Sequence, residues 1–383
     1  MKAIIIGGGI GGLSAAIALE RVGVTTLVFE QADRLREVGL GVTLWVNAVR
    51  ALEKMGADGG LLACGSAEAR FEVRSWRGEL LSVTPFAELK RRLGATVNIC
   101  VHRGELLEQL AGLVDPQRIH CGARCVGFDQ DDAGVKVRFA DGREERGDLV
   151  VGADGLHSVV RALLHGESKP RYAGYTCWRG LARFAHKALP TDLAFEVWGP
   201  GKRFSIHHCG HGRIFWYGTK NTLEGTADAP DGRKAEALQC FRNWMSPIPE
   251  VIEATEEGIL RNDIVDRRPI NSWGRGRVTL LGDAAHPTTP NLGQGACQAI
   301  EDAVELAHYL GQGGEVPALL RRYESGRIPR TTSITKQSLR LGILGQLENP
   351  LACTLRDAII RIIPPAISLR FMESILRHEV PDI

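Results

Sequence analysis

The chain has 383 residues, with 47 Lys and Arg against 45 Asp and Glu and a formal charge of +2, so nothing in its charge calls for a nucleic-acid partner. That length buries a large core and suits two domains better than one, and no stretch is apolar enough for long enough to cross a membrane unbroken. The nine cysteines are odd in number and unclustered, which argues against a disulfide scaffold and for free thiols in a reducing cytoplasm; Cys121 and Cys125, the closest pair, lack partners for zinc, so no metal site is expected.

In chain order, Ala3–Ile6 is a short apolar run suited to a buried strand. Gly7 to Gly12 follow at once, then a helical stretch from Leu13 to Glu20, then a second strand, Val24 to Phe29, that ends on Glu30. Gly7, Gly9 and Gly12 fit the G-x-G-x-x-G pattern, with the acid near its expected distance. Such a turn lets backbone approach a pyrophosphate seated on the helix N-terminus, and the acid accepts hydrogen bonds from an adenosine ribose. Strand, turn, helix, strand and acid in that order predict a dinucleotide site, and commit the apolar N-terminal run to this fold and not to a leader. Gln31 to Val38 is polar and basic. Gly39 and Gly41, in an extended segment, suggest backbone running close against a ligand.

A helix starts at Asn47 and ends near Gly56, and Ala69 to Thr84 is strand-like with a turn at Arg77-Gly78. Another helix starts near His102. Arg103 lies in its first turn, where the helix dipole prefers acids; a cofactor phosphate alongside would relieve the mismatch, and a solvated arginine is the alternative. Strands follow at Arg124–Phe128 and Val135–Phe139, then Leu149–Val151, which runs into a second glycine-rich turn carrying Asp154 and Gly155. From Arg171 aromatic residues alternate in short segments, the pattern of an antiparallel sheet in a different domain. Helices are expected at about Arg233–Trp244 and Pro249–Glu256. Arg277–Leu281 is the last buried strand, followed by Gly282-Asp283, by Pro290 to Ala296, and by a long helix to about Leu310. Three glycine-bearing strand ends suggest one extended ligand gripped at several points. The expected domains are 1–170 with 268–335 for the nucleotide, 171–267 for a substrate sheet to which 69–100 contributes, and a helical segment 336–383.

In that last segment helical patterns cover Arg330–Leu344, Leu351–Ile363 and Ala366–Leu376, with breaks at Glu348-Asn349-Pro350 and Pro364-Pro365. They are more apolar than one buried face requires. Either they pack across the substrate domain or a second subunit, giving a homodimer, or residues 351–377 rest weakly on a membrane surface with their arginines snorkelling.

The Gly7–Gly12 motif with Glu30, the Asp154-Gly155 turn and the Gly282–Gly295 stretch together resemble the three motifs of the single-component FAD-dependent aromatic hydroxylases. That family has a para-hydroxybenzoate-hydroxylase-like fold and includes urate, salicylate and 6-hydroxynicotinate hydroxylases and the zeaxanthin epoxidases. The resemblance runs from residue 1 to about 330. It implies an α/β fold: a Rossmann-like FAD-binding domain, an interleaved antiparallel-sheet substrate domain and C-terminal helices. It implies FAD, with Gly7, Gly9 and Gly12 at the pyrophosphate, Glu30 at the adenosine ribose, Arg103 near the phosphates and Gly41 along the cofactor. It further implies that Gly282 and Asp283 meet the ribityl chain or pyrophosphate, and that Leu292, Gly293 and Gly295 lie by the flavin pyrimidine edge. Asp154 and Gly155 would serve FAD and the transient approach of NADH or NADPH.

The implied reaction is hydroxylation of an aromatic or heteroaromatic substrate by O2 through a C4a-hydroperoxyflavin. Epoxidation of a lipophilic alkene, quinone or quinolone is the first alternative, and an FAD oxidase or dehydrogenase the second. No second nucleotide fingerprint is present, unlike in two-nucleotide reductases, and the Trp-x-Trp-x-Ile-Pro stretch of flavin halogenases is missing. Pro290 should border the ring where oxygen reacts. On the facing sheet the candidates for assisting a substrate hydroxyl are Arg179, Tyr217 and His207 or His208. Each has a plainer reading: Tyr217 as a half-buried strand residue, Arg179 as a domain-interface ion pair, and one histidine pointing away from its neighbour. Trp45 and Trp216 could line the pocket or the core, and His286, inside the third motif, reads as structural or flavin-adjacent and not as the base.

Overall fold

The computed structural model describes residues 1–35, 40–96, 98–256 and 258–383; Gly39, and the end of the polar segment before it, lie outside the described residues. The chain opens with β1 (Lys2–Ile6), α1 (Ile10–Arg21) and β2 (Thr25–Phe29), then β3 (Gly41–Trp45), α2 (Val46–Met55) and the single turn α3 (Leu61–Cys64). Next come β4 (Arg70–Ser75), β5 (Leu80–Pro85), α4 (Phe86–Leu93), β6 (Asn98–His102) and α5 (Arg103–Gly112). A stretch of short strands follows: β7 (Ile119–His120), β8 (Cys125–Asp131), β9 (Gly134–Phe139), β10 (Glu144–Gly147) and β11 (Leu149–Gly152), closed by α6 (Val159–His165). The second half has β12 (Arg171–Arg183), β13 (Leu193–Gly199), β14 (Lys202–His208), β15 (Arg213–Asn221), α7 (Gly232–Phe241), α8 (Ile248–Glu253), β16 (Leu260–Asp266) and β17 (Val278–Leu280). Helices α9 (Gly295–Gly311), α10 (Val316–Gly345), α11 (Pro350–Ile362) and α12 (Pro365–Leu376) complete it.

The first sheet is parallel, in the order β17-β11-β1-β2-β7. Its central strand buries Ala3, Ile4 and Ile5 completely, as a strand covered on both faces must. Register pairs Ile6 with Gly152 and Gly152 with Leu280, so the carboxyl ends of β1, β11 and β17 lie side by side. The three glycine-bearing strand ends, more than a hundred residues apart in sequence, therefore form one rim, where open α/β sheets bind ligands.

The second sheet has seven strands, β16-β12-β15-β14-β13-β4-β5. It is mixed and not purely antiparallel, because β4 arrives from the N-terminal half and pairs parallel with β13. Alternation sorts its two faces. Trp178, Phe195, Phe204, Ile206 and Trp216 point outward into a core with α7 and α8. Tyr175, Cys177, Tyr217 and Phe215 point inward, toward the nucleotide-binding half. Helix α10 is one continuous element that passes through Pro329, so the helical stretch expected from Arg330 begins two turns and more before it.

Candidate active site

At the first strand end, Gly7 has φ +110 and its amide donates to Phe29 O at 2.8 Å. A Cβ at Gly7 would lie 2.4 Å from Ala153 O, and one at Gly12 would lie 1.9 Å from Gly7 O. Both glycines are thus required by the protein's own close packing. Gly9 differs: a Cβ there meets nothing within 4 Å. It is the N-cap of α1, a helix with no side-chain cap and no acid in its first turn, so its leading amides are directed at the open space above Gly9. A diphosphate fits that arrangement of charge and room. Glu30 accepts from Gly8 N at 2.8 Å and from Ala32 N at 2.9 Å, which fixes its carboxylate beside the same turn.

At the second strand end, Asp154 is engaged with its own helix. It accepts from Ser158 Oγ, from Val159 N at 2.7 Å and from Val160 N at 3.2 Å, and Ser158 in turn caps Arg161 N. Burial pushes the Asp154 carboxyl up against those donors. The carboxylate expected at a nucleotide thus also starts α6. Gly155, at φ +76, shapes the turn.

The third strand end carries Gly282 (φ +61) and Asp283. Asp283 is crowded by protein on most sides yet has its residue surface open; that open side is the one a ligand would meet. Crowding raises its pKa, while His286 and Arg103 pull it down. Arg103 therefore stands near Asp283, at the start of α5, with its amide donating to Leu40 O. Gly295 opens α9, which also has no side-chain cap and no acid in its first turn, and a Cβ there would lie 4.0 Å from Asp283 Oδ1. An extended ligand lying from Gly9 past Glu30 and Arg103 to Asp283 and the α9 N-terminus would find donors and acceptors along its whole length. The residues present fit FAD.

Behind this rim lies an ion cluster that sequence reading did not single out. Asp302 accepts from Gly282 N (3.0 Å), His286 Nε2 (2.6 Å) and Arg327 Nε (2.7 Å), and Arg327 also reaches Glu301 at 2.6 Å. Arg330 and Asn47 bind Glu301 as well. Both acids are fully buried; desolvation opposes their charge, but Arg327 and its cationic neighbours hold both pKa values below the usual carboxylate range. His286 is accordingly a structural ligand of Asp302.

Gly41 and Gly293 face protein. A Cβ on Gly41 would lie 2.3 Å from the Phe215 ring, and one on Gly293 (φ +62) 2.8 Å from Trp45 Nε1. Trp45 is packed beside Phe86 next to this motif. Trp216, by contrast, is not a pocket wall: it is fully buried on the outer face of the sheet, its Nε1 donating to Thr255 Oγ1 at 2.8 Å.

On the inner face, Arg179 stands opposite Tyr217 and Tyr217 opposite Ser205 in register. Ser205 Oγ donates to Phe195 O at 2.9 Å and lies 3.1 Å from His207 Nε2; His207 Nδ1 lies 3.0 Å from Glu68, which accepts from Asn98 at 2.6 Å. Since the Ser205 proton goes to Phe195, His207 Nε2–H donates to Ser205 and its Nδ1–H to Glu68, which needs the doubly protonated ring. Burial works against that charge, yet Glu68 prevails and the His207 pKa is raised. Tyr217 also bonds Ser205, and desolvation pushes its phenol far up. His208 points the other way, its pKa lowered by burial. Arg179 makes a 3.4 Å contact with Asn262 of β16 and, among the described residues, no ion pair across the domains.

Two further residues complete the site. Arg203, 2% exposed, donates to Glu196 at 3.0 Å, to Gln346 at 3.0 Å and to Asn291 at 2.5 Å. Tyr175 OH donates to the same Asn291 Oδ1 at 3.0 Å, and Asn291 Nδ2 donates to Thr289 and to Ser338 O. Asn291 belongs to the turn Pro290–Leu292, so the sheet, the third motif and α10 are bolted together at one side chain. Pro290 itself is exposed at that turn. The signal was present in Arg203-Phe204-Ser205-Ile206-His207, where every polar residue falls on one face.

Comparison with known proteins agrees with this architecture. The sequence profile described as FAD binding domain matches residues 1–177 and 253–338. The chain is 44% identical over 363 residues to the aurachin C monooxygenase/isomerase of Stigmatella aurantiaca, covering 94% of each. It is 36% identical over 338 residues to an FAD-dependent urate hydroxylase of Klebsiella pneumoniae, covering 87% of this chain and 88% of the other. The crystal structure of Klebsiella pneumoniae HpxO complexed with FAD and uric acid superposes with a TM-score of 0.92 at 31% identity, covering 98% of this chain and 96% of that one. The chain belongs to the FAD-binding family of flavin-dependent monooxygenases.

Proposed function

We propose that this enzyme, using FAD, NADH or NADPH and O2, hydroxylates an aromatic or heteroaromatic substrate held between the Pro290–Leu292 turn and the inner face of the seven-stranded sheet. The observation that carries the reading is the polar row Arg179–Tyr217–Ser205–His207 on that face, opposite a turn locked by Asn291 to Tyr175 and Arg203. Bound flavin would supply the reducing and oxygen-transferring chemistry; the chain's residues orient the substrate, exclude water and handle one proton.

Tyr217, whose phenol stays neutral, gives its proton to Ser205 and presents lone pairs to a substrate O–H or N–H. Arg179 brings positive charge to the same level of the sheet and favours the ionised form of that group. Ser205, His207 and Glu68 extend the hydrogen-bonded row away from the ring toward Asn98. Arg203 and Asn291 are positioning residues, because their donors and acceptors are already engaged. Gly7, Gly9, Gly12, Glu30, Arg103, Gly282, Asp283, Leu292, Gly293 and Gly295 are assigned to the cofactor, and Gly41, Asp154 and Gly155 to shaping its surroundings. Residues 1–170 with 268–335 make up the cofactor unit in this reading, and 171–267 with part of 69–100 the substrate unit.

The test is oxidation of NADH and of NADPH by the FAD-loaded protein, with O2 uptake and hydrogen peroxide followed in parallel over a panel of phenols, heterocycles and lipophilic quinolones. A compound that accelerates oxidation while peroxide stays far below the nucleotide consumed supports hydroxylation. Substrate-dependent oxidation with all O2 recovered as peroxide would replace it with the oxidase reading. An alkene converted while phenols are ignored would favour epoxidation.

A further inference from the structure

The outer face of the last three helices carries a concentration of exposed apolar side chains found nowhere else among the described residues. Fifteen large apolar side chains are exposed, and nine of them fall between residues 343 and 371. Leu351, Leu355 and Ile359 recur every four residues along α11, Ile367 and Phe371 do so on α12, and Ile363 is exposed at the corner between the two helices. Leu351 is 82% exposed and Ile362 77%. A patch of this extent on a helix pair marks a binding surface.

Charge identifies the partner. From Lys336 to the end of α12 at Leu376 there are five Lys and Arg against three acids, so this segment carries the whole formal charge of +2. Arg356 and Arg361 are engaged with Asp357 and Glu79. Lys336, Arg340 and Arg370 are exposed and lie in no ion pair among the described residues. Lys336 and Arg340 line a groove with Leu344 and Phe371, where α10 meets α12. Free cations bordering Leu and Ile suit anionic headgroups above acyl chains. A second copy fits less well: a two-fold contact through this patch would bring like charges together, and its core lacks the Tyr and Trp of protein interfaces.

The inner faces of the same helices build the site. Leu369, Ile375 and Leu376 of α12 pack with Leu292 and Trp45, and Ser338 and Gln346 hold Asn291 and Arg203. Across α12 one helix diameter, about 10–12 Å, separates its outer side from the side packed on Leu292 and Trp45. We propose that α10–α12 dock this enzyme on an anionic lipid bilayer, and that its substrate is a lipophilic aromatic compound drawn from that bilayer past α10 and α12; the second clause rests on the monooxygenase reading above.

The experiment sediments the full-length, FAD-loaded enzyme with vesicles of phosphatidylcholine alone or mixed with phosphatidylglycerol, at low and high salt. Binding to the mixed vesicles, weakened by salt and by omitting phosphatidylglycerol, is expected. The Leu355→Glu, Ile359→Glu variant should partition at least about tenfold less, and Lys336→Glu with Arg340→Glu should abolish the preference for phosphatidylglycerol. FAD content and basal nucleotide oxidation should stay unchanged in both. Enzyme that remains in the supernatant with every vesicle overturns the proposal, as does a dimer in light scattering that Leu355→Glu, Ile359→Glu dissociates without any vesicle binding to lose. Vesicle binding without substrate-coupled oxidation would instead refute the catalytic reading and leave the docking face standing.

Discussion

Replacing Arg327 with methionine keeps most of the side-chain length and removes the charge that joins Glu301 to Asp302. The bonds lost are Nε to Asp302 (2.7 Å), Nη1 to Glu301 (2.6 Å) and Nη2 to Gln298 Oε1 (2.8 Å). Stranding a buried charge costs about 3–5 kcal/mol. Glu301 keeps Arg330, and Asp302 keeps His286 and the Gly282 amide, so about 3 kcal/mol is expected. With an unfolding entropy of about 2.1 cal/mol/K per residue, a chain of this length shifts by only about 1.2 °C per kcal/mol, so Tm falls by about 4 °C. Thermal unfolding of the FAD-loaded protein at pH 7 reads it. The sign with pH follows from depressed folded pKa values: the stabilisation is complete above the unfolded carboxylate range near about 4 and is lost as pH falls through the folded values. The gap between wild type and Arg327→Met should therefore narrow below about pH 4. Adding Asp302→Asn removes the stranded charge and should recover at least about 1 kcal/mol. A Tm change under about 2 °C, or a double variant weaker by the sum of the single effects, would refute the charge argument.

Gly9→Ala and Gly12→Ala should separate. The first, with open space at its Cβ, leaves apoprotein stability within about 1 kcal/mol while FAD titration shows a Kd raised tenfold or more; the second, 1.9 Å from Gly7 O, lowers the Tm of the apoprotein itself. Tyr217→Phe should reduce kcat/KM about three- to tenfold, the worth of one hydrogen bond, and leave the alkaline limb of the rate profile in place, because the phenol is held neutral. His207, with its pKa raised, contributes stability that is complete below the unfolded value of about 6.5 and is lost as pH rises through the folded one. Tm measured from acid to alkaline pH should show that loss in wild type and not in His207→Gln. Asn291→Ala should leave Arg203 Nη2 and Tyr175 OH without this acceptor, raise peroxide release per NAD(P)H consumed, and cost about 1–3 kcal/mol in unfolding free energy.

Local chemistry was legible in the sequence wherever backbone geometry alone demands a residue type. Gly7, Gly12 and Gly282 could be read because a left-handed φ or a carbonyl under 2.5 Å away admits nothing else, and such constraints are written within a dozen residues. At Asp154 and Gly41 the structure shows protein partners that local sequence does not announce. A carboxylate after a glycine turn serves a ribose or a helix start equally well by spacing, and only the donors from Ser158, Val159 and Val160 decide. Gly41 yields to Phe215, a neighbour from another sheet that no local pattern announces.

The long-range cluster was harder to see for a related reason. Tyr175, Arg203, Asn291 and Gln346 come from four separate elements, and no single window of sequence contains two of them within one turn or strand pair. Their faces, however, obey a parity that needs no partner to be known. On β14 the residues 203, 205 and 207 are Arg, Ser and His, while 204 and 206 are Phe and Ile. A strand whose central residues keep one face apolar and the other polar, inside a domain, must turn the polar face toward something other than the core. Once that face is assigned, register carries it across the sheet to Tyr217 and Arg179 and sends Trp216 to the opposite side. With Tyr217 taken as the catalytic candidate, the same parity settles the choice left open for Trp216 in favour of the core, since adjacent strand residues cannot share a face. The same reasoning applies to the tail, where a four-residue apolar repeat continues outside the faces that pack: pattern left over after the core is accounted for is where the remaining function should be sought.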